Sequence, residues 1–465
     1  MGSEQNQRRG ETETRNRLTT ARDRSRGGSA AAYPQISSRL IEASFSFFTM
    51  KSFPRLRPVE AFPVQQNGNN LIYLKDPLNL ATPLGVSPIG YFLMAHFDGR
   101  HSFIDIQEIY SKQFGTVLLT DELKRFIDML DEHYYLVSDR FIEYQKSVIE
   151  AFCRAPTRAP SHMGGVYPSD AVALKAQLDG YFNSPEGPGL ALTNGRRMTP
   201  QAIVAPHIDF HRGGPTYAWA YKPLLESDGA DLYILLGTSH CGGNNPFILT
   251  LKNFETPLGI VETDKTFVSK LQSICQENFF ADEYLHRGEH SVEFQVVFLK
   301  YLAQRRAELL GQPERPFKIV PILVSSFHAM VASKTLPERT PTVETFLGAL
   351  KRLVDNERRE VCFVAGVDLA HVGRQFGDAD PITEDFLKWV ETEDARLVER
   401  LAARDAPGFF HEIAKDQDKR RICGFSPLYS LIHLLKNGKG QRLKYSQAFT
   451  PETASAVTFT SMIFD

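Results

Sequence analysis

The sequence predicts an α/β fold, in which a sheet with flanking helices follows a small helical domain with a β-wing. From residue 201 onward, short apolar strands alternate with longer segments of helical periodicity. That alternation is typical of helices packed on a sheet. The predicted strands are 202–205, 232–236, 318–324 and 361–367, and the helical patterns between them lie around 266–278, 291–305, 341–355 and 383–403.

Composition divides the 465-residue chain into four segments. Residues 1–50 have few apolar side chains and are predicted to be a disordered tail, with Met50 as an alternative start. Residues 58–145 are predicted to form the small domain. Residues 146–200, rich in Pro, Gly and Ser, are predicted to be linker and domain entry, and 201–465 the α/β domain.

The small domain is predicted to be winged-helix-like. It opens with a β-type run at 71–74, and apolar residues at helical spacing predict a helix between Phe103 and Phe114. A second helix follows Thr120, a suitable N-cap, and a closing strand is predicted at 134–137. Three histidines here show no ligand spacing and are assigned to the surface or to packing: His96, His101 and His133.

Charge and cysteine usage exclude several classes of function. The formal net charge of −2 gives no reason to expect nucleic acid or an anionic membrane as a partner. No apolar run approaches the roughly 20 residues that span a bilayer, and no secretory signal is recognisable. The five scattered cysteines do not form a disulfide framework. We therefore expect a cytoplasmic protein.

Polar side chains follow three of the predicted strands. The first strand leads to His207, the second to Ser239 and His240, and the fourth to Asp368 and His371. In open α/β sheets, ligands bind just beyond the carboxyl ends of the strands. The sequence therefore predicts a functional site there, although any one of these histidines alone would more often be structural.

Cys423 lies just before a predicted helix, in which Ser426 suits the N-cap and Pro427 the first helical position. The positive end of the helix dipole, with Arg420 and Arg421 nearby, would favour the thiolate that binds metals. The alternative is a buried, inert cysteine.

Two imidazoles and a thiolate, from His207, His240 and Cys423, would suit zinc, copper or iron(II) and leave positions open for water or substrate. His371 would then shuttle protons, and Asp368 would orient it or a ligand histidine.

Six further side chains are predicted to support the ligands or contact substrate. For Asp209 and His211 the alternative is local hydrogen bonding in a turn. For Glu289 and His290 the alternative is a favourable place at a helix N-terminus. The six side chains are Asp209, His211, Ser239, Cys241 (a reserve metal ligand), Glu289 and His290.

The ordered motifs of residues 200–465 resemble those of the Memo family, including the proteins called AmmeMemoRadiSam system protein B. They are VAPHID, LLGTSHCG, ETPLGIVETD, GEHSVEFQVVFL, VPILVSS, GVDLAH, ICGFSPL and the ending KYSQAFTPETASAVTFTSMIF. The resemblance implies the sheet of the class III extradiol dioxygenases, with His207, His240 and Cys423 as ligands of iron or copper. It also implies His371 as the acid/base, beside Asp368.

Residues 58–145 resemble the PqqD-like domains that bind peptides for radical SAM enzymes, through the stretch GYFLMAHFDGRHSFIDIQEIYSKQFG and the helix after it. Together the two resemblances imply a radical SAM enzyme and an AMMECR-type protein as partners. A docking or purely structural module is the alternative for this domain.

Two functions remain open. The first is a metal-dependent redox enzyme with dioxygenase-like chemistry, acting on a small molecule or a peptide. The second is a module without turnover that binds metal or a (phospho)peptide.

Overall fold

The computed structural model describes residues 53–66, 68–193, 198–436 and 438–465. The predicted tail at 1–50 and the alternative start at Met50 lie outside the described residues.

A three-stranded antiparallel sheet and four helices form the N-terminal domain. Strand order is β1-β2-β3, and buried leucines from the sheet and from the helices meet in one core, including Leu74, Leu123 and Leu130. The elements are β1 (Glu60–Gln66), β2 (Asn69–Lys75), β3 (Leu84–Val86), α1 (Pro88–Met94), α2 (Phe103–Phe114), α3 (Thr120–Glu132) and α4 (Asp139–Arg154).

Local signals explain the bounds of α2 and correct one predicted strand. Helix α2 begins after a capping box between Ser102 and Asp105, and it ends at Gly115, whose φ of 68° suits glycine. The strand predicted at 134–137 is a single bridge between Leu56 and Leu136. The backbone at Tyr134 has a φ of 63°, which is not compatible with a strand.

An eight-stranded sheet is the centre of the larger domain, in the order β12-β14-β5-β11-β6-β10-β7, with β13 paired to β14. The four middle strands are parallel to one another, and the flanking pairs are antiparallel. A small second sheet has the order β4-β8-β9. The strands are β4 (Thr157–Arg158), β5 (Ala202–Ala205), β6 (Leu232–Thr238), β7 (Phe247–Leu249), β8 (Asn253–Thr256), β9 (Gly259–Val261), β10 (Lys318–Val324), β11 (Val361–Gly366), β12 (His371–Gly373), β13 (Gly440–Thr450) and β14 (Ser455–Phe464).

Helices cover both faces of this sheet, because successive side chains of a strand point to opposite faces. In β5, Ala202 and Val204 join one buried core, whereas Ile203 and Ala205 join the other. The helices are α5 (Ala171–Asn183), α6 (Phe210–Glu226), α7 (Lys265–Ile274), α8 (His290–Leu310), α9 (His328–Ser333), α10 (Pro341–Asp355), α11 (Glu384–Ala402), α12 (Ala406–Ala414) and α13 (Phe425–Leu434). None of the described helices has the length and apolar character needed to cross a membrane.

The segment predicted as a linker at 146–200 contains α5, which differs from that prediction. Leu174, Leu178 and Phe182 lie four residues apart on one face of α5 and are fully buried in the same core as β5. The flanking Pro- and Gly-rich stretches obscured this helical spacing. The packed α/β unit therefore begins well before residue 201.

Candidate metal centre

Two imidazoles and one thiol converge at the carboxyl ends of β5 and β6. The Nε2 atom of His207 lies 3.2 Å from the Cys423 Sγ atom, and the Nε2 atom of His240 lies 3.5 Å from it. The two imidazole ring centroids are 4.9 Å apart. His207 follows β5 and His240 follows β6, the two parallel strands on either side of β11, so the topology brings both histidines to one edge of the sheet.

His207 is held in one orientation by the end of β11. Its Nδ1 atom lies 3.0 Å from the Gly366 carbonyl oxygen. A carbonyl can only accept, so Nδ1 carries a proton and Nε2 is the ring nitrogen left to face Cys423 and to bind a metal. The backbone N–H groups of His207 and Ile208 donate to Asp368 Oδ1 at 3.0 and 3.2 Å. The Asp368 Oδ1 atom therefore positions the backbone around His207, and the Asp368 Oδ2 atom lies 3.6 Å from His207 Nε2.

His240 is oriented by a buried carboxylate, Glu289. The His240 Nδ1 atom lies 2.9 Å from Glu289 Oε1, and the His240 backbone N–H donates to Oε2 at 3.0 Å. Although burial alone would raise the pKa of Glu289, the charge of His240 holds this pKa well below its usual range. A carboxylate behind a histidine is the usual support for a metal ligand.

A close approach of two backbone segments brings Cys423 to the site. Its backbone N–H donates to the Leu369 carbonyl at 3.0 Å, and that of Gly424 donates to the Asp368 carbonyl at 2.8 Å. A Cβ atom at position 424 would lie 2.7 Å from the Asp368 oxygen, so only glycine allows this approach.

The predicted N-cap of α13 is wrong by two residues. Gly424 is the N-cap, and Ser426 and Pro427 lie within the first turn. The Ser426 Oγ atom instead accepts a hydrogen bond from the Phe327 backbone N–H at 2.8 Å. The tight packing of Gly424 moves the helix start towards Cys423, so the helix N-terminus still lies beside the thiol.

The Cys423 thiol is acidic for a different reason from the one predicted. Arg420 forms a buried ion pair with Asp394, and Arg421 pairs with Asp378. Burial would raise the pKa of Cys423, but the neighbouring His207 and His240 lower it to about 6. The two imidazoles therefore favour the thiolate form of Cys423, which is the effect that was predicted for the two arginines.

His290 is a third imidazole at the same place. Its ring centroid lies 4.6 Å from that of His240 and 5.1 Å from that of His207. The ligand atoms of these three histidines all lie within 4.8 Å of one another, so the group could hold a metal ion. Burial and the charge of His240 hold the pKa of His290 well below its ordinary value, and the neutral ring is the form that binds metals.

Asp368 lies beside the ligand cluster, with its Oδ2 atom 3.6 Å from His207 Nε2, and His371 follows it three residues later at the start of β12. The Nδ1 atom of His371 lies 3.2 Å from the Leu369 carbonyl oxygen. Among the described residues, no partner is recorded for its Nε2 atom. Burial lowers the pKa of His371 and raises that of Asp368 to about 6. At neutral pH, His371 therefore presents an unprotonated Nε2 atom that can accept a proton.

Four of the residues predicted to support the ligands or contact substrate make local contacts or lie at the surface, and their predicted roles stay predictions. Asp209 caps α6 by accepting from the Arg212 backbone N–H at 3.1 Å, and His211 is exposed on the first turn of α6. The Ser239 hydroxyl donates to the Gly242 carbonyl within a turn. The Cys241 thiol donates to the Pro77 carbonyl at 3.3 Å, and burial raises its pKa to about 11. Asp209 therefore makes the local hydrogen bond of the alternative interpretation, whereas His211 lies within α6 and not in the turn that was predicted.

One contributor was not predicted from the sequence. The His162 ring centroid lies 5.5 Å from that of His290. Glu293 holds His162 there by accepting from its backbone N–H at 3.0 Å, and Ser161 donates to the same carboxylate. A single histidine in a segment rich in proline and glycine carried no signal of this role.

Comparisons with known proteins agree on one family. A family model described as Memo-like protein matches residues 158–463. A MEMO1 family protein of Aquifex aeolicus is 28% identical over 412 residues, which cover 87% of this chain and 99% of the relative. One of Methanopyrus kandleri is 26% identical over 314 residues, or 66% of this chain and 98% of the relative. One of Pyrococcus furiosus is 30% identical over 269 residues, or 56% and 81%.

Proposed function

The chain belongs to the Memo family, and from this premise we propose that it is a metal-dependent redox enzyme with dioxygenase-like chemistry. His207, His240 and Cys423 would hold the metal. The observation that carries the proposal is the close approach of two imidazoles to one thiol. The Nε2 atoms of His207 and His240 lie 3.2 and 3.5 Å from the Cys423 Sγ atom.

These distances fit a bound transition metal. Bonds of about 2.0–2.1 Å to nitrogen and about 2.3 Å to sulfur, at a tetrahedral angle, place the nitrogen and sulfur atoms about 3.5 Å apart. The set of donors, two imidazoles and a thiolate, suits iron or copper, and zinc as well. Glu289 and Cys423 hold the pKa of His240 well above its ordinary value despite the opposing effect of burial. Metal uptake would therefore release a proton.

The surrounding side chains would transfer a proton, orient a ligand and contact the substrate. A bound iron or copper would supply redox chemistry and open positions for substrate and oxygen. His371 would take a proton from the substrate at Nε2, because its pKa is lowered and its Nδ1 faces the Leu369 carbonyl. Glu289 would keep the Nε2 lone pair of His240 directed at the metal. His290 would either complete the ligand set or contact the substrate.

The second candidate is a module that binds metal or a (phospho)peptide without turnover. The abundance of imidazoles favours metal binding of this kind as much as catalysis. A phosphate group fits less well, because Glu289 and Asp368 are buried carboxylates next to the ligands. A small-molecule or peptide substrate, radical SAM and AMMECR-type partners, a PqqD-like role for the N-terminal domain and a cytoplasmic location all stay predictions.

Oxygen consumption distinguishes the two candidates. Protein loaded anaerobically with iron(II) should consume oxygen faster than metal-free protein when ascorbate or catechol is supplied as an electron donor. The His371→Gln variant should retain its iron but consume oxygen about 100-fold more slowly, because the proton acceptor is lost. Fully loaded wild-type protein that consumes oxygen no faster than metal-free protein would favour the module without turnover.

A further inference from the structure

A loop of the N-terminal domain, residues 76–81, is built to hold one shape; we call it the bracing loop. The Asp76 carboxylate accepts backbone N–H groups from Leu78, Leu80 and Ala81 at 2.8–3.1 Å. It also pairs with Arg57 at 2.9 Å, and Asp76 and Arg57 are only 1% and 5% exposed. A buried ion pair with this many hydrogen bonds makes the loop rigid.

This loop contacts the α/β domain at two places. The Cys241 thiol donates to the Pro77 carbonyl at 3.3 Å, and the Arg287 guanidinium donates to the Asn79 carbonyl at 3.3 Å. The backbone at Gly288 lies so close that a Cβ atom there would be 3.2 Å from the Asn79 side-chain nitrogen. The contacts therefore involve side chains and backbone on both sides.

The residues that the loop contacts flank the His240–Glu289 pair. Cys241 directly follows His240, and Gly288 directly precedes Glu289. Both Glu289 carboxylate oxygens hydrogen-bond to His240, yet the His240 side chain is 36% exposed. The backbone on either side of the pair is thus held from outside the α/β domain.

Helix α4 fixes the same domain to the α/β unit at a second point. Lys252, only 4% exposed, donates to the carbonyls of Cys153 and Ala155 at 3.2 and 2.7 Å. The ring of Phe152 meets that of Tyr284 edge-on, with the centroids 5.9 Å apart. Tyr284 and Arg287 lie in the same helical turn, residues Glu283–Arg287. The contact of α4 with Tyr284 and the contact of the bracing loop with Arg287 therefore both hold the backbone just before Glu289.

The bracing loop is an addition to the family's common unit. The family model begins at residue 158, so the loop lies outside it. The Methanopyrus relative matches 66% of this chain with 98% of its own length, which is about the share of the chain that residues 158–463 make up. The Aquifex relative matches 87% of this chain, more than residues 158–463 provide, so it shares part of the N-terminal region.

We propose that the N-terminal domain is a positioning element of the metal centre, which acts through the bracing loop on the His240–Glu289 pair. The proposal rests on the metal site described above. Displacement of the loop loosens the carboxylate that directs the His240 lone pair, and metal is then released faster. A partner or substrate that moves this domain would change how firmly the metal is held.

Two variants test the proposal from opposite sides of the contact. Asp76→Asn removes the charge that holds the loop together, and Arg287→Ala removes the donor to the loop carbonyl. Asp105→Asn is the matched control, because it removes the charge of another aspartate of the same domain, the one that accepts from Ser102 in the capping box of α2. The readout is the rate at which cobalt(II) passes from the full-length protein to a chelator, measured beside the thermal unfolding midpoint.

Both test variants should release cobalt(II) about 10-fold faster than the wild type, the usual effect of disturbing the support of a ligand. The control should release it at the wild-type rate. Amide hydrogen exchange at residues 239–243 and 285–291 should also be faster in both variants, and this readout needs no metal. Wild-type exchange and wild-type release in folded Arg287→Ala protein would overturn the proposal. A wild type that binds no cobalt(II), with faster exchange in both variants, would instead contradict the metal site and leave the bracing contact supported.

Discussion

Replacement of Cys423 by serine is expected to abolish stoichiometric binding of iron or copper. The thiolate is one of three converging donors, and a serine hydroxyl is a poor ligand for these metals at neutral pH. The loss of affinity should exceed the roughly 100-fold that removal of a supporting partner costs. His207→Ala and His240→Ala should have the same effect. The metal content of anaerobically reconstituted protein measures it.

Two further variants make this prediction specific. Cys241→Ser should retain its metal, because the Cys241 thiol faces the Pro77 carbonyl and serine can still donate to it. His290→Gln should retain metal with weakened affinity if His290 is a supporting group. A Cys423→Ser protein with full metal content, beside a metal-free His290→Gln protein, would show that His207, His240 and His290 form the site instead.

Glu293 is expected to be the largest single electrostatic contribution to stability near the site. Glu293 is only 1% exposed and forms an ion pair with Arg158 at 2.5 Å. Its carboxylate also accepts hydrogen bonds from Tyr167 at 2.5 Å and from Ser161 and His162. Glu293→Ala leaves the buried Arg158 without its partner and should lower the free energy of unfolding by about 3–5 kcal/mol. Denaturant unfolding at neutral pH measures this loss.

The lowered pKa of Glu293 predicts that the stability of the protein depends on pH. Burial would raise the pKa of Glu293, but Arg158 and the hydrogen bonds hold it far below the ordinary value of 4.5. A lowered pKa means that the stabilisation is complete above pH 4.5 and is lost as the pH falls below it. The stability difference between wild type and Glu293→Gln should therefore shrink in acid.

Glu308→Gln is the matched control, because Glu308 lies on the same helix α8 but is 44% exposed at its side chain. It should cost at most about 1 kcal/mol. The double variant Glu293→Leu with Arg158→Met should cost less than Glu293→Ala, because neither charge of this ion pair is then left buried without the other. A cost for Glu293→Ala no greater than that of the control would contradict this account.

The periodicity of apolar residues was sufficient to predict the central sheet and the edge at which the site lies. Strands β5 and β10 have the bounds that were predicted, and His207 and His240 follow strand ends as expected. This was predictable because burial on both faces gives parallel strands short, continuous apolar runs. The place of Cys423 before a predicted helix suggested a thiolate, with a buried, inert cysteine as the alternative. The family resemblance implied the same residue as a ligand, and the family model confirms the family.

The roles that depend on distant partners could not be predicted. Arg420 and Arg421 lie next to Cys423 in the sequence, but each is paired with an aspartate on another segment. A favourable place at a helix N-terminus is the alternative that the sequence offers for Glu289. Glu289 does cap α8, yet it also holds His240. Sequence position gives the distance along the chain, whereas these pairings are determined by how the layers pack.

The absorption spectrum of cobalt(II)-loaded wild-type protein tests the central claim most directly. A site of two imidazoles and the Cys423 thiolate predicts one cobalt(II) per chain, an intense near-ultraviolet charge-transfer band from sulfur and visible bands of a four-coordinate ion. A spectrum with one bound cobalt(II) but no sulfur charge-transfer band would contradict the claim that Cys423 is a ligand, and would assign the metal to His207, His240 and His290.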